Sequence, residues 1–320
     1  MKTKLLGIDI GGTKCAVVYG IDHVGGIEVV EKVRFDTMDV DTTLDRILLE
    51  TKKMCSSHSL DASNTRGIGI SCGGPLNSRR GVILSPPNLP GWDNIPIVKA
   101  LQDATGIPAS VQNDANACAL AEWKYGAGRG TSNMVFLTFG TGLGAGLVLD
   151  GRLYSGTNDY AGELGHIRLS DFGPVGYGKA GSVEGFASGG GIAQLAASAV
   201  KEKLMMGETV YWCPDGDVTG INARTVAEAA KAGDELARGV FRTSAEYLGR
   251  ALAIVVDLLN PERIVIGSIY ERAEELFTPY MQEVLDREAL PGARRVCRVV
   301  PAALGDAIGD LAALSIAASI

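Results

Sequence analysis

The apolar positions of the chain fall into short runs separated by glycine-rich or polar turns, which is typical of strands joined by tight connections. Residues 4–34 predict a meander of strands with turns at residues 11–12 and 25–26. Residues 132–170 predict a second meander with a hairpin turn at residues 150–151. Helical segments follow each meander, so we expect two α/β domains of related design.

The helical segments are recognised by apolar residues that recur on one face. In the first of them Leu44, Ile47 and Met54 share a face. Helices are predicted over residues 41–58, 96–105, 115–125, most of 188–259 and 305–318. Shorter apolar runs that begin at residues 67, 109 and 263 predict further strands.

Two glycine-rich turns of the same kind carry the clearest chemical signal. The first is Asp9-Ile-Gly-Gly-Thr-Lys14, and the second is Gly140-Thr-Gly-Leu-Gly-Ala-Gly146. An apolar run enters and leaves each turn, so each predicts a strand–turn–strand hairpin, unlike the phosphate loops that lead from a strand into a helix. Two such hairpins, each with bare backbone N–H groups and a threonine hydroxyl, could hold one polyphosphate from two sides.

Composition and charge narrow the possible partners. The chain has 320 residues, of which 46% are hydrophobic and 21% charged, and a net charge of −7. The negative charge argues against broad binding of nucleic acid or of anionic membranes. The chain shows no signal peptide or membrane-spanning run, and its six cysteines are scattered, so we expect a cytoplasmic protein with reduced thiols.

The motifs, taken in order along the chain, resemble those of the ROK family of bacterial sugar kinases, within the actin/hexokinase-like ATPase superfamily. The resemblance covers nearly the whole chain. Besides the two glycine turns it rests on these segments: Asn113-Asp-Ala-Asn116 with Ala121-Glu-Trp123, Gly156-Thr-Asn158 with Ala161-Gly-Glu-Leu-Gly-His166, and Leu304-Gly-Asp306.

This resemblance implies a two-domain actin/hexokinase-like (ribonuclease H-like) α/β ATPase fold with a central cleft. The small domain would comprise residues 1–113 with 305–320, and the large domain residues 114–304. The implied activity is transfer of the γ-phosphoryl group of ATP, with Mg²⁺, to a hexose hydroxyl, with glucose O6 as the first expectation. An N-acetylhexosamine kinase, such as an N-acetylmannosamine kinase, is the alternative. A homodimer is expected from the family alone.

Asp114 is the expected catalytic base, because a sugar hydroxyl must lose its proton as it attacks the phosphoryl group. A simpler interpretation is that Asn113-Asp114 only caps a helix, since both residue types favour that place. The two interpretations are compatible, because a helix N-terminus favours an ionised carboxylate.

The remaining site residues follow from the resemblance. Glu163 and His166 are three residues apart and could face one pocket, although a lone histidine is more often structural. The sugar-binding set is Asn113, Glu163, His166, Glu184, Asn158, Gly74 and Asn88. The nucleotide and phosphate set is Asp9, Gly11, Gly12, Thr13, Lys14, Thr141, Gly142 and Gly267, with Asp9 positioning Mg²⁺. After Gly267, Ser268 stands where relatives often have a second glycine.

One segment departs from the family pattern. Many relatives hold a structural zinc through a histidine and three cysteines, and the three thiolate positions are here Val175, Tyr177 and Ser182. These side chains cannot form a zinc site, so we expect no structural zinc and a loop that is supported in another way. Tyr177 could pack into the space.

Two further functions compete with the kinase. Some relatives are sugar-sensing repressors with a DNA-binding helix-turn-helix ahead of the kinase fold, but here the first phosphate motif starts at residue 9 and the charge is negative. A non-catalytic sugar-binding regulator is the other possibility. Intact phosphate turns and Asp114 favour catalysis.

Overall fold

The computed structural model describes residues 2–320. Its strands are β1 Thr3–Ile10, β2 Lys14–His23, β3 Gly26–Asp36, β4 Thr65–Cys72, β5 Leu76–Asn77, β6 Val82–Ile83, β7 Ala109–Asn113, β8 Met134–Phe139, β9 Leu143–Leu149, β10 Arg152–Tyr154, β11 Val175–Gly176, β12 Lys179–Ala180, β13 Arg263–Ile266 and β14 Arg298–Pro301. Its helices are α1 Val40–His58, α2 Ile97–Thr105, α3 Asp114–Tyr125, α4 Val183–Phe186, α5 Gly189–Met205, α6 Ala223–Lys231, α7 Glu235–Leu259, α8 Ile269–Arg272, α9 Glu274–Glu288, α10 Pro291–Val296 and α11 Ile308–Ala317.

The chain divides into two compact units. Unit 1 comprises residues 2–130, 146–161 and 303–320, and unit 2 comprises residues 131–145 and 162–302.

The centre of unit 1 is a five-stranded sheet in the order β3-β2-β1-β4-β7. The first three strands run antiparallel, whereas β4 and β7 run parallel to β1. Alternate residues of β1 face opposite sides of the sheet. Leu6 and Ile8 pack into one buried cluster with Ile47 and Met54 of α1. Leu5 belongs to a second cluster that includes residues of α11.

Unit 2 contains the parallel strands β8, β13 and β14, with β9 beside β8. Strand β9 continues into unit 1, where its last residues pair with β10. The long helix α7 is capped at its start by Asp234, whose side chain accepts from Ala237 N–H, and it ends at Leu259, which is followed by Asn260 in the left-handed conformation. Buried rings of Phe139, Phe241 and Phe277 join the sheet to α7 and α9. The Phe277 centroid lies 5.2 Å from that of Phe139 and 5.2 Å from that of Phe241.

The predicted glycine hairpins and the first long helix are confirmed, but the second meander is shorter than expected. It ends at β10, and residues 155–170 contain only a 3₁₀ turn, Leu164–His166, and an isolated bridge from Arg168 to Ser182. Positive φ angles at Gly156, Asp159 and Gly162 interrupt the extended backbone that a strand needs. Among residues 2–320, the helices include none with the length and apolar character to cross a membrane.

Candidate functional site

The first glycine turn links β1 to β2 and leaves two backbone donors unused. Gly11 N–H donates across the turn to the Lys14 carbonyl at 3.1 Å. Within residues 2–320 the N–H groups of Gly12 and Thr13 have no acceptor, and both residues are exposed. A β-carbon at Gly12 would collide with the backbone oxygen of Asn88, so only glycine fits there. Consecutive free N–H groups of this kind form an anion-binding concavity.

The second glycine turn, between β8 and β9 in unit 2, repeats this arrangement. Gly140 N–H donates to the Gly142 carbonyl at 3.1 Å, whereas the N–H groups of Thr141 and Gly142 have no acceptor within the described chain. The start of α5 supports the turn, because Gly189 N–H donates to the Gly140 carbonyl at 2.8 Å and Gly190 N–H to the Thr141 carbonyl at 3.1 Å. Each unit therefore presents two free N–H groups on a glycine hairpin.

Asp9, at the end of β1, has two carboxylates near it in unit 1. Burial, followed by repulsion from Asp310 and Asp114, raises the pKa of Asp9 to about 6, and Lys32 and Arg34 act in the opposite direction. A divalent cation on a bound polyphosphate would offset this repulsion. The oxygen atoms of these carboxylates are ligands that suit Mg²⁺. Across residues 2–320, no three His, Cys, Asp or Glu side chains meet as a metal site would require.

Asn113 and Asp114 occupy the junction of β7 and α3. Asn113 is the N-cap, and its Oδ1 accepts from Ala115 N–H at 2.9 Å. Oδ1 of Asp114 accepts from the same N–H at 2.7 Å. The Asp114 side chain remains accessible to solvent, yet desolvation by the surrounding protein raises its carboxyl pKa, and the hydrogen bond from Ala115 lowers it in part. Capping and an available carboxylate therefore coexist.

Three of the predicted sugar-binding residues lie together in unit 1. A β-carbon at Gly74 would stand 3.1 Å from the Asn113 side-chain nitrogen. One at Gly73 would stand 3.2 Å from Asn88 Oδ1. The loop after β4 thus brings Asn88 and Asn113 close to each other and, through Gly12, to the first glycine turn.

Asn158 is exposed on the loop that follows β10 in unit 1. The next residue, Asp159, anchors that loop, because its carboxylate accepts from the backbone N–H of Ser78 at 2.8 Å and from its hydroxyl at 2.7 Å. The sequence contains no signal for this anchor, since the two residues are 81 positions apart.

Glu163, His166 and Glu184 lie on two adjoining segments of unit 2, the turn before residue 167 and helix α4. Glu163 precedes the single 3₁₀ turn that ends at His166, and both side chains are exposed. Gly165 lies inside that turn, and a β-carbon added to it would stand 3.3 Å from the β-carbon of Glu184. Glu184 Oε2 accepts from Leu143 N–H at 3.0 Å, which ties this carboxylate to the second glycine turn.

The segment that carries zinc ligands in many relatives is held here by hydrogen bonds. Ser182 is fully buried and caps α4 through Gly185 N–H at 3.1 Å. The Gln194 side chain bonds the backbone of Val175, and Lys179 Nζ donates to the His166 carbonyl at 2.7 Å. The Tyr177 side chain is 75% exposed, and its ring centroid lies 6.2 Å from that of His166, so the expectation that it fills the space is wrong.

Gly267 directly follows β13, and its N–H donates to the Leu137 carbonyl at 3.0 Å. The next residue, Ser268, has φ 63° and ψ −112°, a conformation that favours glycine. Its side chain lies near Gly140 of the second glycine turn.

Glu122 on α3 is a buried anchor whose function the sequence did not reveal. It is 0% exposed, and its Oε1 accepts from Ala303 N–H at 3.0 Å and Leu304 N–H at 2.9 Å. Its Oε2 accepts from Ala127 N–H at 2.7 Å. The carboxylate therefore joins the end of α3 to the segment that leads into α11.

Glycine hairpins with free N–H groups in two α/β units, and a carboxylate at a helix start beside one of them, are features of a protein that binds a phosphorylated ligand. The fold is that of the actin/hexokinase-like class, as expected. The chain belongs to the ROK family, whose family model matches residues 5–320.

Two curated relatives illustrate the similarity. The chain is 35% identical over 291 residues to a glucokinase of Halalkalibacterium halodurans, covering 89% of this chain and 86% of that protein. It is 32% identical over 328 residues to a glucokinase of Thermotoga maritima, covering 98% of this chain and 97% of that protein.

Solved structures agree on the fold. The ROK hexokinase of Thermus thermophilus has a TM-score of 0.80 at 29% identity, over 99% of this chain and 98% of that one. A ROK family glucokinase of Streptomyces griseus, solved with glucose and AMPPNP, has a TM-score of 0.77 at 29% identity, over 99% of this chain and 100% of that one.

Proposed function

We propose that this protein is an ATP-dependent sugar kinase that transfers the γ-phosphoryl group to a hexose, with glucose O6 as the acceptor. The observation that carries the proposal is Asp114, whose carboxylate is fixed at the start of α3 yet open to solvent. The similar proteins named glucokinase support glucose as the sugar.

Asp114 would act as the general base. A sugar hydroxyl is a poor nucleophile, and a carboxylate within hydrogen-bond reach accepts its proton as the bond to phosphorus forms. The second Asp114 oxygen, which is not the one bonded to Ala115, is the natural acceptor. Asn113, Gly74 and Asn88 would position the sugar in unit 1, and Asn158, Glu163, His166 and Glu184 would complete its binding.

The glycine hairpins would hold the phosphates of ATP. The free N–H groups of Gly12 and Thr13, and those of Thr141 and Gly142, suit phosphate oxygens. Gly11 shapes the first turn, Lys14 would add positive charge, and Gly267 would border the nucleotide. Asp9 would hold Mg²⁺, which neutralises phosphate charge when bound.

The cellular setting is part of the same proposal. Use of ATP and six cysteines outside any disulfide in the described chain fit the cytoplasm. The net charge of −7 fits a protein that binds neither nucleic acid nor membrane. A homodimer is expected from the family and is tested by light scattering on the purified protein.

An N-acetylhexosamine kinase is the second candidate. The chain is 34% identical over 270 residues to an N-acetylmannosamine kinase of Citrobacter koseri, covering 84% of each protein. One substituent on the sugar is discriminated by the shape of the pocket.

The test is an assay of ATP consumption with Mg²⁺ across hexoses and N-acetylhexosamines. We expect saturable turnover with glucose, and an Asp45→Asn variant, altered at an exposed aspartate on α1, serves as a matched control with unchanged rate. Turnover with N-acetylmannosamine alone would select the second candidate. Absence of turnover with every sugar would contradict the kinase.

A further inference from the structure

A cavity of about 700 Å³ lies within unit 1, apart from the residues assigned above. Ser110 and Gln112 of β7 line it, whereas Val111 between them belongs to the core on the other side of the sheet. Side chains alternate along a strand, so Gln112 and Asn113 face opposite sides. The cavity is therefore on the far side of β7 from the cluster of Asn113, Gly74 and Asn88.

The walls of the cavity are aromatic and aliphatic. Trp123 and Leu120 come from α3, Leu153 from β10 and Ile316 from α11. Trp123 is only partly buried, and it packs beside the apolar cluster that Leu120 and Ile316 share. An indole ring at the edge of a cavity offers a flat apolar face to a ligand.

Two cations that lack a carboxylate partner line the same cavity. Lys124 Nζ donates to Ser319 Oγ at 2.7 Å and forms no ion pair with residues 2–320. Burial lowers the pKa of Lys124, with Arg66 acting in the same direction and Asp22 against it. Arg152 is exposed, and its side chain has neither a hydrogen bond nor an ion pair within the described chain. Unpaired Lys and Arg side chains together suit a phosphate group.

Behind the polar lining residues Gln112 and Ser155, the buried amide of Asn116 is incompletely hydrogen-bonded. Asn116 is 1% exposed, and its Nδ2 donates to Ser155 Oγ at 3.3 Å and to Gln112 Oε1 at 3.5 Å, both long. Its Oδ1 has no donor among the described residues. A buried amide oxygen without a donor is uncommon. A ligand hydroxyl that reorients Ser155 or Gln112 would allow the missing bond to form.

We propose that this cavity is a binding site for a monosaccharide phosphate. The Trp123 ring would stack on the apolar face of the sugar ring, Gln112 and Ser155 would bond its hydroxyls, and the two cations would bind its phosphate. The volume is within the range of small-molecule sites. That the ligand is the enzyme's own product rests on the proposed function, but the site itself does not.

Calorimetric titration of the full chain with glucose 6-phosphate, without ATP, tests the proposal. All proteins in this titration carry Asn88→Ala, which is expected to weaken binding at the predicted sugar-binding cluster of Asn113, Gly74 and Asn88. We expect glucose 6-phosphate to bind the Asn88→Ala protein. Adding Arg152→Gln or Lys124→Gln should weaken that binding by at least about tenfold, because a charged hydrogen bond is lost. Arg295→Gln, an exposed arginine of unit 2 outside the cavity, leaves it unchanged.

Three results would overturn the site. They are loss of all binding with Asn88→Ala alone, equal binding with and without Arg152→Gln and Lys124→Gln, and binding of inorganic phosphate as tight as that of glucose 6-phosphate. A protein that binds glucose 6-phosphate in the cavity but turns over no sugar would contradict the kinase and leave the cavity site intact.

Discussion

The side-chain amide of Gln194 forms two hydrogen bonds with the backbone of Val175: its Oε1 accepts from the N–H at 2.9 Å, and its Nε2 donates to the carbonyl at 2.8 Å. Val175 stands at the first of the three positions where many relatives have a zinc-bound cysteine. A helix side chain from α5 thus fixes strand β11, and Ser182, at another of the three positions, caps α4.

Gln194→Leu removes both hydrogen bonds and leaves the Val175 backbone unsatisfied, so we expect the β11–β12 hairpin to lose about 1–3 kcal/mol of local stability. Hydrogen exchange of the amides of residues 174–183 measures this. Gln102→Leu, at an exposed position of α2, is the control and changes nothing in that segment. Unchanged exchange in Gln194→Leu would show that the amide does not hold the loop.

Glu122→Gln tests the buried anchor in unit 1. The substitution removes the charge from bonds to Ala127, Ala303 and Leu304, and it turns an NH₂ group toward backbone donors. Loss of charge-assisted bonds in a buried site is expected to lower the free energy of unfolding by about 3 kcal/mol. Urea denaturation measures it, with exposed Glu283→Gln as the control. A loss no larger than that of the control would contradict the anchor.

Ser268→Gly tests backbone strain beside Gly267. A non-glycine residue at φ 63° and ψ −112° costs about 1–3 kcal/mol. Glycine relieves this cost but adds freedom to the unfolded chain, so we expect a net gain of about 1 kcal/mol. Thermal unfolding measures the gain, and Ser63→Gly, in an exposed turn with negative φ, gives none. A destabilised Ser268→Gly would mean that the serine side chain contributes more than the strain costs.

The pH dependence of turnover follows from Asp114. Only the ionised carboxylate accepts a proton, and desolvation by the surrounding protein raises its pKa above the ordinary value of 3.8. Turnover should therefore fall as the pH drops through this raised pKa, so the acid limb lies at higher pH than an unperturbed aspartate would give. Profiles of kcat/KM between about pH 4 and about pH 8 locate it. An acid limb at or below the ordinary value would exclude Asp114 as the group that titrates.

The local elements were predictable because their signals lie within a few residues. The hairpins at Gly11 and Gly140 need only a glycine turn between apolar runs, and α1 needs only its apolar spacing. The residue pattern after Tyr154 predicts further strand. The structure instead gives Asp159 a positive φ, which the pattern did not indicate.

The contacts that complete the candidate site were not predictable in the same way. Glu122 meets Leu304 across 182 positions, and Leu143 meets Glu184 across 41. Such pairs depend on how the elements pack, and a single sequence contains no signal for them. Their residue types were visible in the motifs, but their partners were not.

The most direct test of the kinase is Asp114→Asn. Asparagine keeps the size of the side chain and can still accept from Ala115 N–H, but it cannot take a proton from a sugar hydroxyl. Glucose affinity, measured by calorimetry, and kcat, measured by ATP consumption, are compared in one preparation. We predict that affinity changes by less than about threefold whereas kcat falls by about 10²–10⁴-fold. A variant that retains near-normal kcat would contradict Asp114 as the base and with it the mechanism.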